Sequence, residues 1–173
     1  MKSNYDKAFS YVIASEGGYV CNKNDNGGET CLGVTKAAWS AYLGRPIVDG
    51  EMKKLTPDIV KPFYKSQYWD KVKGDDLPSG VDYQAFDFAV NAGAGQSAKF
   101  VQRAVGAVAD GAIGPATIDL INKANPRTVI LGITNQKEAF YRGIVEKNPS
   151  QSVFLNGWLN RCKDVEAKAL AMV

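Results

Sequence analysis

The stretch "SEGGYVCNKNDNGGETCLGVT", residues 15–35, decides how this chain is read. Upstream of it, Tyr5, Ala8, Phe9 and Val12 recur at three- and four-residue spacing, which predicts a helix over 4–16 with one apolar face. Ser3 or Asn4 is placed to cap that helix, and Gly17 and Gly18 stop it. Glu16 follows Val12 by four residues and Phe9 by seven. It therefore falls on the apolar face, in the last turn, where a carboxyl group is either partly buried or faces a cleft. Beyond the glycines, "YVCNK" (19–23) and "TCLGVT" (30–35) have strand character, and "NDNGG" (24–28) between them is turn chemistry. The expectation is a short β-hairpin. Centred near Asn26, it sets Cys21 opposite Cys31, as candidates for a disulfide in an oxidising compartment and for free thiols in the cytoplasm. Such a bond beside Asp25 would act as a redox gate on the loop.

The rest of the chain reads as helical. Val34, Ala38, Trp39 and Tyr42 predict a helix over 35–43. Thr56-Pro57 is a cap followed by proline at the first helical position, opening a helix that runs to Tyr68 or Trp69. Residues 73–80 read as a loop, and 81–91 as an apolar-rich helix broken by "AGAG" at 92–95. Further helices are expected over 96–108, after Pro115, from Pro126 to about Glu146, and through Trp158, Cys162, Val165 and Leu170. The fold class is mainly α (α+β), with one small β-hairpin near the N-terminus.

Composition narrows the chemistry. The chain has 173 residues, 45% hydrophobic and 23% charged, as expected of a globular protein. Its net charge of +3 is scattered, without the basic and aromatic clustering of a nucleic-acid surface, and it suits an anionic target such as a cell wall. No apolar run reaches the ~18 residues that a membrane helix needs. The N-terminal "MKSNYDKAF" lacks the apolar core of a signal peptide, so the expectation is a soluble protein made in the cytoplasm. The histidine count is zero, which excludes Ser-His-Asp and Cys-His hydrolases and HExxH zinc peptidases. Cysteines at 21, 31 and 162 fit no CxxC metal pattern, so neither metal nor cofactor is expected. Acid–base work falls to carboxylates, with Tyr and Lys behind them.

A glycosidase needs one carboxyl group that holds a proton for the leaving oxygen, and commonly a second that stays ionised. Glu16, after an apolar stripe, is the candidate for the first, because desolvation favours its neutral form. Asp25, among Asn22, Asn24, Asn26 and two glycines, is the candidate for the second. Taken alone, a helix-end Glu is more often a surface or capping residue, and an Asp in an Asn/Gly turn is more often turn chemistry.

"EGGY" at 16–19 followed by "DNGGETCLGVT" at 25–35 resembles the signature of the lysozyme-like muramidases of glycoside hydrolase family 108, which are phage endolysins and bacterial relatives. "DFAVNAGAGQSAKFVQRAVG" at 87–106, "DGAIGPATIDLIN" at 110–122 and "FLNGWLNR" at 154–161 are similar to later parts of the family pattern. This chain departs from it in having asparagines where many relatives carry a turn proline.

The resemblance implies a lysozyme-like fold and cleavage of the β-1,4 bond between N-acetylmuramic acid and N-acetylglucosamine. It implies a catalytic lobe over 1–94 and a C-terminal lobe over 95–173 resembling a peptidoglycan-binding region, packed as one globular unit. Glu16 maps to the general acid. Asp25 maps to a base, a transition-state stabiliser or a loop organiser. Thr30 is a candidate for holding the water through its hydroxyl. Glu29 is a competing second carboxylate, or else a surface residue. Tyr19, Tyr68, Trp69 and Asn91 are candidates for substrate contact, although an aromatic such as Tyr68 or Trp69 is more often core. The implied partners are peptidoglycan glycan strands and a holin that releases a monomeric enzyme from the host cytoplasm to the periplasm. The alternatives are a lytic transglycosylase and a non-catalytic wall-binding or secretion-associated protein of the same fold.

Overall fold

The computed structural model of the chain describes residues 3–21 and 28–173. It is mainly α with a small antiparallel sheet, in the order α1 (Tyr5–Ser15), β1 (Val20–Cys21), β2 (Glu29–Cys31), β3 (Val34–Thr35), α2 (Lys36–Leu43), α3 (Pro57–Tyr64), α4 (Val81–Ala92), α5 (Ala94–Ala104), α6 (Pro115–Lys123), α7 (Pro126–Lys147) and α8 (Ser152–Leu170). Contacts divide it into two units, Asp6–Gln67 and Tyr68–Val173, the latter also taking the residues up to Tyr5.

Local cap chemistry sets three of the helix starts. The Thr35 hydroxyl accepts from the Ala38 N–H at 3.1 Å and opens α2. Thr56 accepts from the Ile59 N–H at 3.3 Å, with Pro57 at the first helical position of α3. Asn125 accepts from the N–H groups of Arg127 and Thr128 ahead of Pro126 and α7. The helix expected to reach Trp69 does so by changing type, since α3 gives way to a π-helical turn over Lys65–Trp69.

In the Asp6–Gln67 unit the sheet has three strands in the order β1-β2-β3. The expected hairpin therefore gains a strand, because Leu32-Gly33 turns the chain again and pairs Cys31 with Val34. The core beside it is aromatic. Phe9, Trp39, Phe63 and Tyr64 are buried, with Phe9–Tyr64 and Phe63–Tyr64 ring centroids 5.6 and 5.8 Å apart in edge-on geometry.

The second unit is organised on α4, whose residues from Val81 to Ala89 are all buried. Phe88 stacks on Phe100 of α5 at 4.7 Å and meets Phe140 of α7 edge-on. Asp87 of α4 is buried between two cations, Arg161 of α8 at 2.7 Å and Lys137 of α7 at 3.6 Å. The "DGAIGPAT" segment is tied down by one buried side chain. Gln102 Nε2 donates to Asp110, the Ala112 carbonyl and Thr117, while its Oε1 accepts from the Gly111 N–H. These bonds tie the segment to α5, with Ile113 and Thr117 buried and Asp110, Ala112, Pro115 and Ala116 exposed. Among the described residues no helix is long and apolar enough to cross a membrane.

Candidate active site

Glu16 sits one residue beyond α1. Its N–H donates to the Ile13 carbonyl at 3.2 Å, so the backbone still follows the last helical turn, and its side chain is half-buried. The helical phase read from Phe9 and Val12 thus carries Glu16 inward. Gly17 and Gly18 are exposed and release the chain into β1.

The carboxyl group of Glu16 meets the Leu32-Gly33 turn. Both turn residues have positive φ, 51° at Leu32 and 75° at Gly33, the backbone of a two-residue hairpin turn of the I′ kind. Gly33 is required there twice over. Its φ suits glycine, and a β-carbon at this position would lie 2.6 Å from Oε2 of Glu16 and 2.6 Å from the hydroxyl of Tyr64. The Tyr64 ring is buried on α3, and its hydroxyl donates to the Leu32 carbonyl at 2.6 Å. Leu32 itself is an unfavourable residue for this backbone, at about 1 kcal/mol.

The rest of the sheet carries the other candidates. Val20 pairs with Thr30 and Cys21 with Glu29. This corrects the expectation that Cys21 faces Cys31: the register is displaced by two residues, and all three cysteines are free, Cys21 exposed and Cys31 and Cys162 buried. Thr30 is half-buried at the centre of the sheet, paired on one side with Val20 and on the other with Thr35. Strand alternation puts its side chain on the face opposite Glu29 and Cys31. Glu29 is held by Lys36 in an ion pair of 3.3 Å. Tyr19 is half-buried, with the Lys53 ammonium 5.3 Å from its ring centroid. Partial burial, with Cys21 and Glu29 beside it, pushes the Tyr19 phenol up to about 12, so it is a neutral donor at physiological pH. The Asp25 expectation lies outside the described residues.

Three expected contacts belong to the other unit. Asn91 is exposed in the last turn of α4, and Tyr68 is half-buried. Trp69 corrects its expectation. It is wholly buried against Tyr5 and Phe86, Gly74 packs on its ring, and its indole N–H donates to Asp75 at 2.9 Å. A ring with no accessible face cannot stack on a sugar, and the core reading holds. Two residues at the Glu16 site escape the sequence reading. Tyr64 looks like one more apolar-face aromatic. The role of Gly33 is signalled only by a glycine between two strand-like pairs. Among the described residues no group of three or more Cys, Asp or Glu side chains is placed to hold a metal ion.

Residues 9–93 match the family model described as Glycosyl hydrolase 108, and residues 96–163 match the one described as Predicted Peptidoglycan domain. The solved structure of Brucella abortus SagA is similar to this chain at 37% identity, over 98% of this chain and 95% of that one, with a TM-score of 0.84. No curated protein matches.

Proposed function

The chain belongs to the glycosyl hydrolase 108 family, and from that membership we propose that it is an N-acetylmuramidase in which Glu16 is the general acid. The coarser reading, a glycoside hydrolase acting on peptidoglycan, is supported by the two family matches. The finer one rests on a single observation: Glu16 follows a helix end, and its carboxyl lies against Gly33 of the hairpin turn. In the proposed reaction the Glu16 carboxyl gives its proton to the glycosidic oxygen as the bond to C1 breaks. Asp25 stabilises the positive charge that develops on the sugar or takes a proton from the attacking water, and Thr30 orients that water. Glu29 is the weaker candidate for the second carboxylate, since its charge is already engaged by Lys36. Tyr19, Tyr68 and Asn91 are proposed to contact the glycan. Catalysis is assigned to residues 1–94 and further wall contact to 95–173. In biological context the reading is a monomeric phage-type endolysin that reaches the wall after a holin opens the membrane.

The test compares wild type with Glu16→Gln on purified peptidoglycan, following turbidity and new reducing ends. The expected loss is about 10²–10⁴-fold with the fold intact by circular dichroism. Equal rates would remove Glu16 from the mechanism. Anhydro-sugar ends would identify a lytic transglycosylase, and wall binding without bond cleavage a non-catalytic protein.

A further inference from the structure

We infer that Tyr64 is a positioning residue for the Glu16 carboxyl and acts through the Leu32-Gly33 turn. The inference rests on the reading of Glu16 as the acid.

Three observations meet at this point. First, the turn is held in a backbone form that its own sequence does not favour. Type I′ turns are commonest with Asn-Gly, whose asparagine tolerates positive φ through local hydrogen bonding. Leu32, at φ 51°, has no such group. Second, the Tyr64 hydroxyl supplies from outside what leucine lacks, an anchoring hydrogen bond of 2.6 Å to the Leu32 carbonyl. Third, that hydroxyl and Oε2 of Glu16 each lie 2.6 Å from the same point beside Gly33, so the glycine is where the phenol and the carboxyl converge. Moving the turn moves the wall against which the carboxyl rests.

The chemistry of Tyr64 supports a dedicated use of its oxygen. Its ring packs between Phe9 and Phe63, a place that phenylalanine would fill equally well. The hydroxyl is the feature that packing does not require, and it is directed at the turn. A carboxyl that delivers a proton in the transition state is sensitive to displacement, because rate depends on near-attack geometry. A substrate bound through other residues would be held as before.

The experiment uses the full chain and three variants: Tyr64→Phe, Leu32→Asn and the double variant. Tyr64→Phe is expected to lower kcat about ten-fold with KM within about two-fold of wild type. The alkaline limb of its kcat–pH profile, which reports the protonated acid, is expected to shift. In the double variant, the Leu32→Asn change gives the turn the Asn-Gly pair that holds this backbone without the phenol, and most of the lost kcat returns. A Tyr64→Phe enzyme with wild-type kcat and pH profile overturns the inference. So does a loss that Leu32→Asn does not repair, because the hydroxyl would then act by another route. Glu16→Gln run alongside separates the two levels: if it is active the acid assignment fails, and if it is inactive while Tyr64→Phe is normal only the positioning role fails.

Discussion

Gly33 has no side chain because Glu16 occupies the space one would need: a β-carbon on Gly33 would stand 2.6 Å from Oε2 of Glu16. The acid candidate thus lies close against the turn, and a side chain at Gly33 would have to displace it. Changing Gly33 to alanine forces the carboxyl or the turn to move and also strains a φ of 75°. The expected result is a fall in kcat/KM of at least about ten-fold, with about 1–2 kcal/mol lost from stability. Steady-state kinetics and urea denaturation check the two parts. A Gly33→Ala enzyme of normal activity would mean that the carboxyl can move aside and still work.

The cysteines are expected to be silent in catalysis. Cys21 pairs across the sheet with Glu29 and not with Cys31, and all three thiols are free. Burial also pushes the Cys31 and Cys162 thiols up, which slows their reaction with alkylating or disulfide reagents. One thiol, Cys21, should react quickly in the native protein and all three after unfolding. Activity with and without reductant should be equal. A rate that rose or fell on reduction would revive the redox gate on the loop.

What the sequence made legible was local. Thr56-Pro57, Pro115 and Pro126 read directly from the chain as helix starts, because a cap bond to a residue three positions on and a proline's fixed φ are both local. The partial burial of Glu16 was legible because helical phase is a property of one element. The β1–β2 register was not, because two such short strands fix no pairing by themselves, and a slip moves every facing pair. Trp69 beside a polar loop gave no local sign of its burial. The Tyr64 hydroxyl finds its carbonyl 32 positions away, and Arg161 finds Asp87 at 74, separations over which a single sequence carries no signal.

The 45–51 loop should be acid-sensitive. Arg45 binds Glu51 through two nitrogens, at 2.6 and 3.0 Å, and the Val48 N–H adds a third bond to the same carboxylate. Chiefly through the Arg45 hydrogen bonds, the Glu51 carboxyl is held down at about 2. A depressed carboxyl contributes stability above its unfolded value of 4.5, and that contribution disappears as pH falls through about 2. Wild type should therefore be more stable than Glu51→Gln at neutral pH, and the gap should narrow below about pH 4.5. Denaturation midpoints of both proteins across that range provide the check. A gap that does not change with pH would assign the loop's order to something other than this ion pair.

The second unit holds a cluster of buried charges. Asp87 and Lys137 are each 1% exposed, and Arg161 closes on Asp87 at 2.7 Å. The Lys137 ammonium also lies 5.4 Å from the Phe88 ring centroid. Removing Asp87 alone, as Asp87→Leu, leaves a lysine inside the unit without its counter-charge. The cost of breaking a buried pair from one side is about 3–5 kcal/mol. Removing all three charges together, as Asp87→Leu with Lys137→Met and Arg161→Leu, should cost far less than the single change. Desolvation no longer opposes burial once the group is apolar. Urea midpoints of the single and triple variants test this directly. If Asp87→Leu were as stable as wild type, the cations would have other compensation. Asp87 and Arg161 lie in "DFAVN" and "FLNGWLNR", so a large single-variant loss would explain those motif residues by the folding of α4 against α7 and α8.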